Sequence, residues 1–117
     1  MNRRGEETRN QIMDAAARLF AEQGVDAVTM AEIHEATGQR NKSAIQYHFG
    51  SRRGLVVAII ERRKELADEI RAPMLAGTAE DDLAGLVRAM VLPAMPNLDT
   101  EQGRYYLRIV SPFMERF

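Results

Sequence analysis

The sequence of 117 residues predicts an all-α protein. Apolar residues recur at intervals of three and four, as on one face of a helix. Strand signals are missing, because the β-branched residues never alternate with polar ones over more than a few positions. A chain of this length can bury one compact core, or a small module and part of a second.

The first two predicted helices are delimited by residues that start and stop helices. The first is expected from about Glu6 to Gln23, because Gly24 can adopt the left-handed conformation that ends a helix. Its inner face consists of Ile12, Ala16, Leu19 and Phe20. The second begins at Thr29, since Thr29-Met30-Ala31-Glu32 is a capping-box sequence, and it lasts about two turns before Thr37-Gly38.

Capping residues also predict a third and a fourth helix. Asn41 is a suitable N-cap for the third, which ends near Phe49-Gly50. Its inner face consists of Ala44, Ile45 and His48. Ser51 caps the fourth and longest helix, which we expect to end at Pro73 because proline lacks an amide hydrogen.

Two further helices are expected after a linker at residues 76–78. The fifth starts near Asp81 and Asp82 and ends before Pro93. The sixth is capped by Asp99 or Thr100, is kinked or interrupted at Pro112, and has no obvious partner for its apolar face. Several apolar residues of these two helices should stay exposed unless another chain covers them: Leu83, Leu86, Val87, Leu107 and Val110.

The charge of the chain is distributed unevenly. The formal net charge is -1, yet residues 1–64 hold eleven Lys and Arg against eight acids, and residues 65–117 hold five Arg against nine acids. From Ala36 to Ile60 there is no Asp or Glu, whereas Arg40, Lys42, Arg52 and Arg53 all lie there. A local basic surface beside an acidic remainder favours binding to a polyanion.

The composition argues against other classes of protein. Without cysteine, the chain has neither disulfides nor thiolate metal sites nor a cysteine nucleophile. His34-Glu35 lacks the second histidine of a zinc-hydrolase helix, and no phosphate-cradling glycine loop is present. We therefore predict no enzyme, no cofactor and no metal site. Neither a leader pattern nor a membrane-spanning apolar run is found, so a cytoplasmic protein is expected.

The second and third predicted helices form a helix-turn-helix. The major groove of B-DNA admits one helix, so that helix must be backed by another and carry no acids on its outer face. The segment from Asn41 to Phe49 meets these requirements. The sequence therefore predicts a module that docks on duplex DNA.

Several motifs in this region, in this order, resemble the DNA-binding domain of the TetR family of bacterial repressors. They are Ala15–Gly24, Thr29-Met30-Ala31-Glu32-Ile33, Ala36-Thr37-Gly38, Ala44-Ile45-Gln46-Tyr47-His48-Phe49, Ser51-Arg52 and Leu55. The resemblance is strong from about Thr8 to Glu61 and weak afterwards. It implies a three-helix DNA-binding domain at residues 1–50, and at residues 51–117 a connecting helix with the first part of a ligand-binding and dimerisation domain.

The resemblance also implies roles for individual residues. Thr29, Tyr47, His48 and Arg52 match positions that contact phosphate or sugar and so orient the protein. His48 can instead pack against Phe49 at the helix end. The residues that match base-reading positions are Lys42, Ser43 and Gln46, where lysine suits guanine and glutamine suits adenine.

This sequence departs from the family pattern in the turn. One residue more than usual lies between Gly38 and Phe49, so Arg40 and Asn41 join the expected DNA-binding residues, Arg40 through a phosphate. Gln46 stands where the family often has tyrosine. Arg3 and Arg4 form either a basic arm that reaches a minor groove or a disordered tail.

The resemblance implies a partner set as well. A full-length homodimer would place two recognition helices about 34 Å apart on a palindromic operator. A small-molecule effector of unknown identity would release the DNA. A second hypothesis remains open, in which the chain is a truncated helical protein–protein interaction module that titrates a full-length regulator.

Overall fold

The computed structural model describes residues 3–38 and 43–115, which form helices and turns with no strand among them. The helices are α1 (Arg3–Gln23), α2 (Met30–Thr37), α3 (Ser43–Phe49), α4 (Arg52–Ala76), α5 (Leu83–Val91), α6 (Pro96–Asp99) and α7 (Glu101–Met114). Two 3-10 turns, Val25–Ala27 and Leu92–Ala94, precede α2 and α6. The predicted all-α class is confirmed. None of the described helices is long and apolar enough to cross a membrane.

The core lies where the first four helices meet. Its buried side chains from this part of the chain are Ile12, Met13, Ala16, Ala17, Leu19, Phe20, Val28, Ile33, Ile45, Leu55, Ala58 and Ile59. The predicted inner face of α1 is confirmed, because all four of its residues belong to this cluster. Burial of a side chain such as Phe20 stabilises the fold by about 1.5–3 kcal/mol relative to its exposure.

The predicted caps of α2 and α4 are confirmed. The amide of Glu32 donates to Thr29 Oγ1 at 3.1 Å, and Glu32 Oε1 accepts from the Thr29 amide at 3.3 Å. Ser51 Oγ accepts an amide hydrogen bond of 3.0 Å from the first turn of α4. Gly38 and Gly50, with φ of 67° and 75°, end α2 and α3 in the conformation that favours glycine.

The expectation for the N-terminal end is wrong. α1 begins at Arg3 rather than near Glu6, and Arg3 and Arg4 both lie in the helix. The Arg3 guanidinium is 3.8 Å from the Glu7 carboxylate, one turn further along. The two arginines therefore lie in a helix rather than in a disordered tail, and their contact with a minor groove stays a prediction.

The expected end of α4 is also wrong, because the helix passes through Pro73 and ends at Ala76. The last carbonyls of this helix find donors beyond its end. The Gly77 amide donates to the Pro73 carbonyl at 3.2 Å, and the Thr78 hydroxyl donates to the next carbonyl at 2.6 Å. Pro112 likewise lies inside α7 without interrupting it.

Small residues form the side of α5 that faces α4. Gly85 and Ala89 are buried, and Arg71 of α4 donates through Nε to the Ala89 carbonyl at 3.0 Å. Much of the apolar stripe of α5 therefore points to solvent: Leu83 is 73% exposed and Val87 50% exposed, as expected. The other three residues of that expectation, Leu86, Leu107 and Val110, are half-buried instead.

The apolar face of α7, which had no obvious partner in the sequence, packs on α1. Thr100 caps α7, and Ile109 is 2% exposed and joins the core. Gln102 donates to the Asp14 carbonyl of α1 at 3.4 Å, and Arg62 of α4 lies 2.9 Å from the Asp14 carboxylate. The later helices are therefore connected directly to the helix that supports the helix-turn-helix.

Candidate nucleic-acid interface

The candidate interface is the outer side of α3, which follows α2 in the chain. α2 ends at Gly38, and the described chain resumes in α3 at Ser43. The predicted N-cap at Asn41 therefore lies outside the described residues. The same holds for three predicted DNA contacts: Arg40, Asn41 and Lys42.

α3 has one buried side and one exposed side. Ile45 is 3% exposed and belongs to the core, and Phe49 packs against that core. Ser43, Gln46 and Tyr47 are exposed, with Tyr47 at 82%. Because these positions are spaced i, i+3 and i+4, they share one face of the helix. The structure thus brings three of the predicted site residues together on the outer face of α3.

The C-terminal end of α3 is held by aromatic contacts. The His48 ring is half-buried between neighbouring rings, with its centroid 5.1 Å from that of Tyr47 and 5.9 Å from that of Phe49. The Arg9 guanidinium of α1 lies 5.2 Å from the Phe49 ring centroid, within the range of a cation–π interaction. His48 therefore packs against Phe49 and also borders the exposed face.

Thr29, at the start of α2, is exposed and fully engaged in its capping box. Its hydroxyl accepts from the Glu32 amide and also donates to Glu32 Oε1, both at 3.1 Å. A hydroxyl has a single proton to donate. For its hydroxyl to donate to a phosphate, Thr29 must therefore break its hydrogen bond to Glu32 Oε1.

Arg52, at the start of α4, is half-buried and has a protein partner. Its Nη2 donates to the carbonyl of Val28 at 2.8 Å, across 24 residues of chain. Its Nε is buried without a hydrogen-bond partner among the described residues. The side chain expected to reach phosphate is thus directed in part toward the protein.

Arg53 is a second basic side chain at the start of α4. It is exposed, it follows Arg52 directly, and within residues 3–38 and 43–115 its side chain has neither a hydrogen bond nor an ion pair. It lies in the acid-free segment from Ala36 to Ile60. In the same described ranges, no group of three or more His, Asp or Glu side chains could hold a metal ion.

A buried first helix, a capped support helix and a short second helix with an exposed polar face define a helix-turn-helix protein. Residues 12–59 match the family model described as "Bacterial regulatory proteins, tetR family". This segment is therefore similar to the DNA-binding part of TetR-family transcriptional regulators. The fold and the recognised motifs therefore agree on the same segment.

Two curated relatives extend the match beyond this segment. The chain is 35% identical over 95 residues to the probable HTH-type transcriptional regulator ArpR of Pseudomonas putida, covering 80% of this chain and 43% of that protein. It is 34% identical over 84 residues to the HTH-type transcriptional repressor AcnR of Corynebacterium glutamicum, covering 72% of this chain and 40% of that protein. The chain therefore spans less than half the length of these relatives.

Solved structures agree with the fold. A crystal structure of a gamma-butyrolactone receptor, an ArpA-like protein, superposes with a TM-score of 0.70 at 30% identity, covering 90% of this chain and 52% of that one. A second such receptor structure gives a TM-score of 0.72 at 28% identity, with coverages of 92% and 55%. The predicted helix-turn-helix domain followed by helices of a regulatory domain is confirmed.

Proposed function

We propose that this chain binds DNA in a sequence-specific manner and acts as a ligand-responsive transcriptional repressor on a palindromic operator. The curated relatives are described as transcriptional regulators and repressors rather than enzymes, which supports a regulatory role without catalysis. A repressor acts on the chromosome, so we propose the cytoplasm as its compartment.

One observation carries this proposal: the exposed face of α3. A helix of seven residues is too short to be stable alone, so its rigidity comes from the core around Ile45. The side chains turned away from that core are polar or aromatic, and no acid occurs from Ala36 to Ile60. Such a face can approach phosphates without repulsion and offer hydrogen bonds to base edges.

The proposed contacts fall into two groups. Thr29, Tyr47 and His48 would orient the protein on phosphate and sugar, because they border the outer face of α3 or begin its support helix. The residues proposed to read bases or extend the contact from the turn are Arg40, Asn41, Lys42, Ser43 and Gln46. Of these, Ser43 and Gln46 are exposed on α3.

Dimerisation and effector control complete the proposal. Two chains would present their α3 helices to successive major grooves, about 34 Å apart. The solved relatives are named receptors, which supports a small-molecule effector. The packing of α7 on α1, together with the Arg62–Asp14 ion pair at 2.9 Å, would transmit a movement of the later helices to the helix-turn-helix.

Selection of bound duplexes from a random pool tests this function. We expect enrichment of a palindromic sequence, an affinity that falls steeply as salt rises, and two chains per duplex in native mass spectrometry. The interaction-module hypothesis predicts no enrichment at any salt concentration. Its support is the exposed apolar side of α5, where Leu83 is 73% exposed and Met90 71% exposed.

A further inference from the structure

We propose that Arg52 is a positioning residue that holds the helix-turn-helix closed, in place of the phosphate contact that the family resemblance implies for it. This inference rests on the proposed DNA-binding function. It assigns to one arginine the task of fixing the start of α2 relative to the end of α3. The observation behind it is the 2.8 Å hydrogen bond from Arg52 Nη2 to the Val28 carbonyl.

The two partners flank the helix-turn-helix. Val28 directly precedes Thr29, the N-cap of α2, and Arg52 follows the end of α3 by three residues. The hydrogen bond therefore joins the two ends of the segment 29–51, which contains both α2 and α3. Fixing the ends of a loop in this way restricts how its two helices can move relative to each other.

The Val28 carbonyl needs such a donor. Val28 is 0% exposed and lies in extended backbone between a 3-10 turn and α2, so neither helix supplies an amide to its carbonyl. Among the described residues, Arg52 is its only hydrogen-bond donor. A buried carbonyl without a donor is unfavourable, and a charged donor makes the stronger bond.

The burial of Arg52 also fits a structural partner better than a phosphate. Its Nε is buried and has no hydrogen-bond partner in the described part of the chain, so the guanidinium lies partly within the protein. The next residue, Arg53, carries the same charge and is exposed. Arg53→Ala is therefore the matched control, because it removes one positive charge without removing the contact to Val28.

The experiment measures two quantities in Arg52→Ala and Arg53→Ala well below their melting temperatures. One is the slope of log affinity against log salt, and the other is the ratio of affinity for the selected duplex to that for a random duplex. A lost phosphate contact makes the slope shallower by about 0.9. For Arg52→Ala we expect an unchanged slope. We expect the specificity ratio to fall by about tenfold, which corresponds to the loss of one charged hydrogen bond. For Arg53→Ala we expect an unchanged ratio.

Two results would overturn the inference while leaving the proposed function intact. A shallower slope with an unchanged ratio in Arg52→Ala would make Arg52 a phosphate contact. A lower melting temperature with both quantities unchanged would give it a structural role alone. If the unmodified chain binds no duplex, the proposed function itself fails, and the positioning role fails with it.

Arg52→Lys keeps the inference testable if Arg52→Ala does not fold. Lysine keeps the charge, but its amino group is one bond closer to the backbone than the Nη2 that donates to the Val28 carbonyl, so it does not reach the same position. If Arg52 contacts a phosphate, Arg52→Lys should keep that contact, and the specificity ratio of the variant should equal that of the parent. The positioning role predicts a reduced ratio at an unchanged slope, so an unchanged ratio in Arg52→Lys counts against it.

Discussion

Gly54→Ala should destabilise the protein although alanine is the better helix former. Gly54 lies in the first turn of α4, where the backbone at the end of α3 passes close by. A Cβ at this position would overlap the Phe49 carbonyl oxygen and lie 3.2 Å from the carbonyl carbon. Both atoms belong to the backbone, so the end of the recognition helix would have to move.

The magnitude follows from two opposing terms. Alanine favours a helix over glycine by about 1 kcal/mol. Forcing extra volume into a packed contact costs about 1–3 kcal/mol, and more where backbone must shift. We expect a net loss of about 1–2 kcal/mol, which lowers the melting temperature by roughly 4–12 °C. Gly77→Ala is the control, because its Cβ would meet no atom closer than 3.6 Å.

Urea unfolding followed by circular dichroism measures both variants. The Gly77→Ala free energy of unfolding should stay within about 0.5 kcal/mol of the parent. DNA affinity of folded Gly54→Ala should also fall, since Phe49 ends the helix that carries Gln46 and Tyr47. Equal stability of Gly54→Ala and Gly77→Ala would refute the close contact between α3 and α4.

Three further predictions concern the caps and the exposed faces. Thr29→Ala should lower the free energy of unfolding by about 1 kcal/mol, because the Glu32 amide loses its acceptor. Thr29→Ser keeps a hydroxyl and should retain most of the parent stability. Equal losses of stability in the two variants on urea unfolding would contradict the capping role. Tyr47→Ala should leave stability within about 0.5 kcal/mol, since the side chain is 82% exposed, yet weaken binding to every duplex. Unchanged affinity in fluorescence anisotropy would remove Tyr47 from the interface. Val87→Glu combined with Met90→Glu should reduce self-association in light scattering without loss of helicity, because both residues are exposed and apolar. An unchanged molar mass in light scattering would show that this face of α5 takes no part in self-association.

Local signals in the sequence predicted most of the first four helices. The capping box at Thr29, the cap at Ser51 and the left-handed glycines depend on residues a few positions apart, so the sequence contains all the information they need. The outer face of α3 followed from helical spacing and from the lack of acids. These are the features from which the DNA-binding role was inferred.

Tertiary contacts account for what the sequence did not predict. The partner of Arg52 lies 24 residues away, and a motif match cannot show which direction a side chain takes. The packing of Ile109 on α1 joins residues from opposite ends of the chain, and no periodicity predicts such a pairing.

Site-directed crosslinking tests the central claim, that the outer face of α3 meets the duplex. The chain has no cysteine, so Gln46→Cys and Met90→Cys each introduce a single attachment point for a photoreactive maleimide. Gln46 is exposed on α3, and Met90 is 71% exposed on α5, which packs on the far half of α4. We predict crosslinks from Gln46→Cys to bases of the selected duplex and none from Met90→Cys. Crosslinking from Met90→Cys alone, or equally from both positions, would contradict the claim.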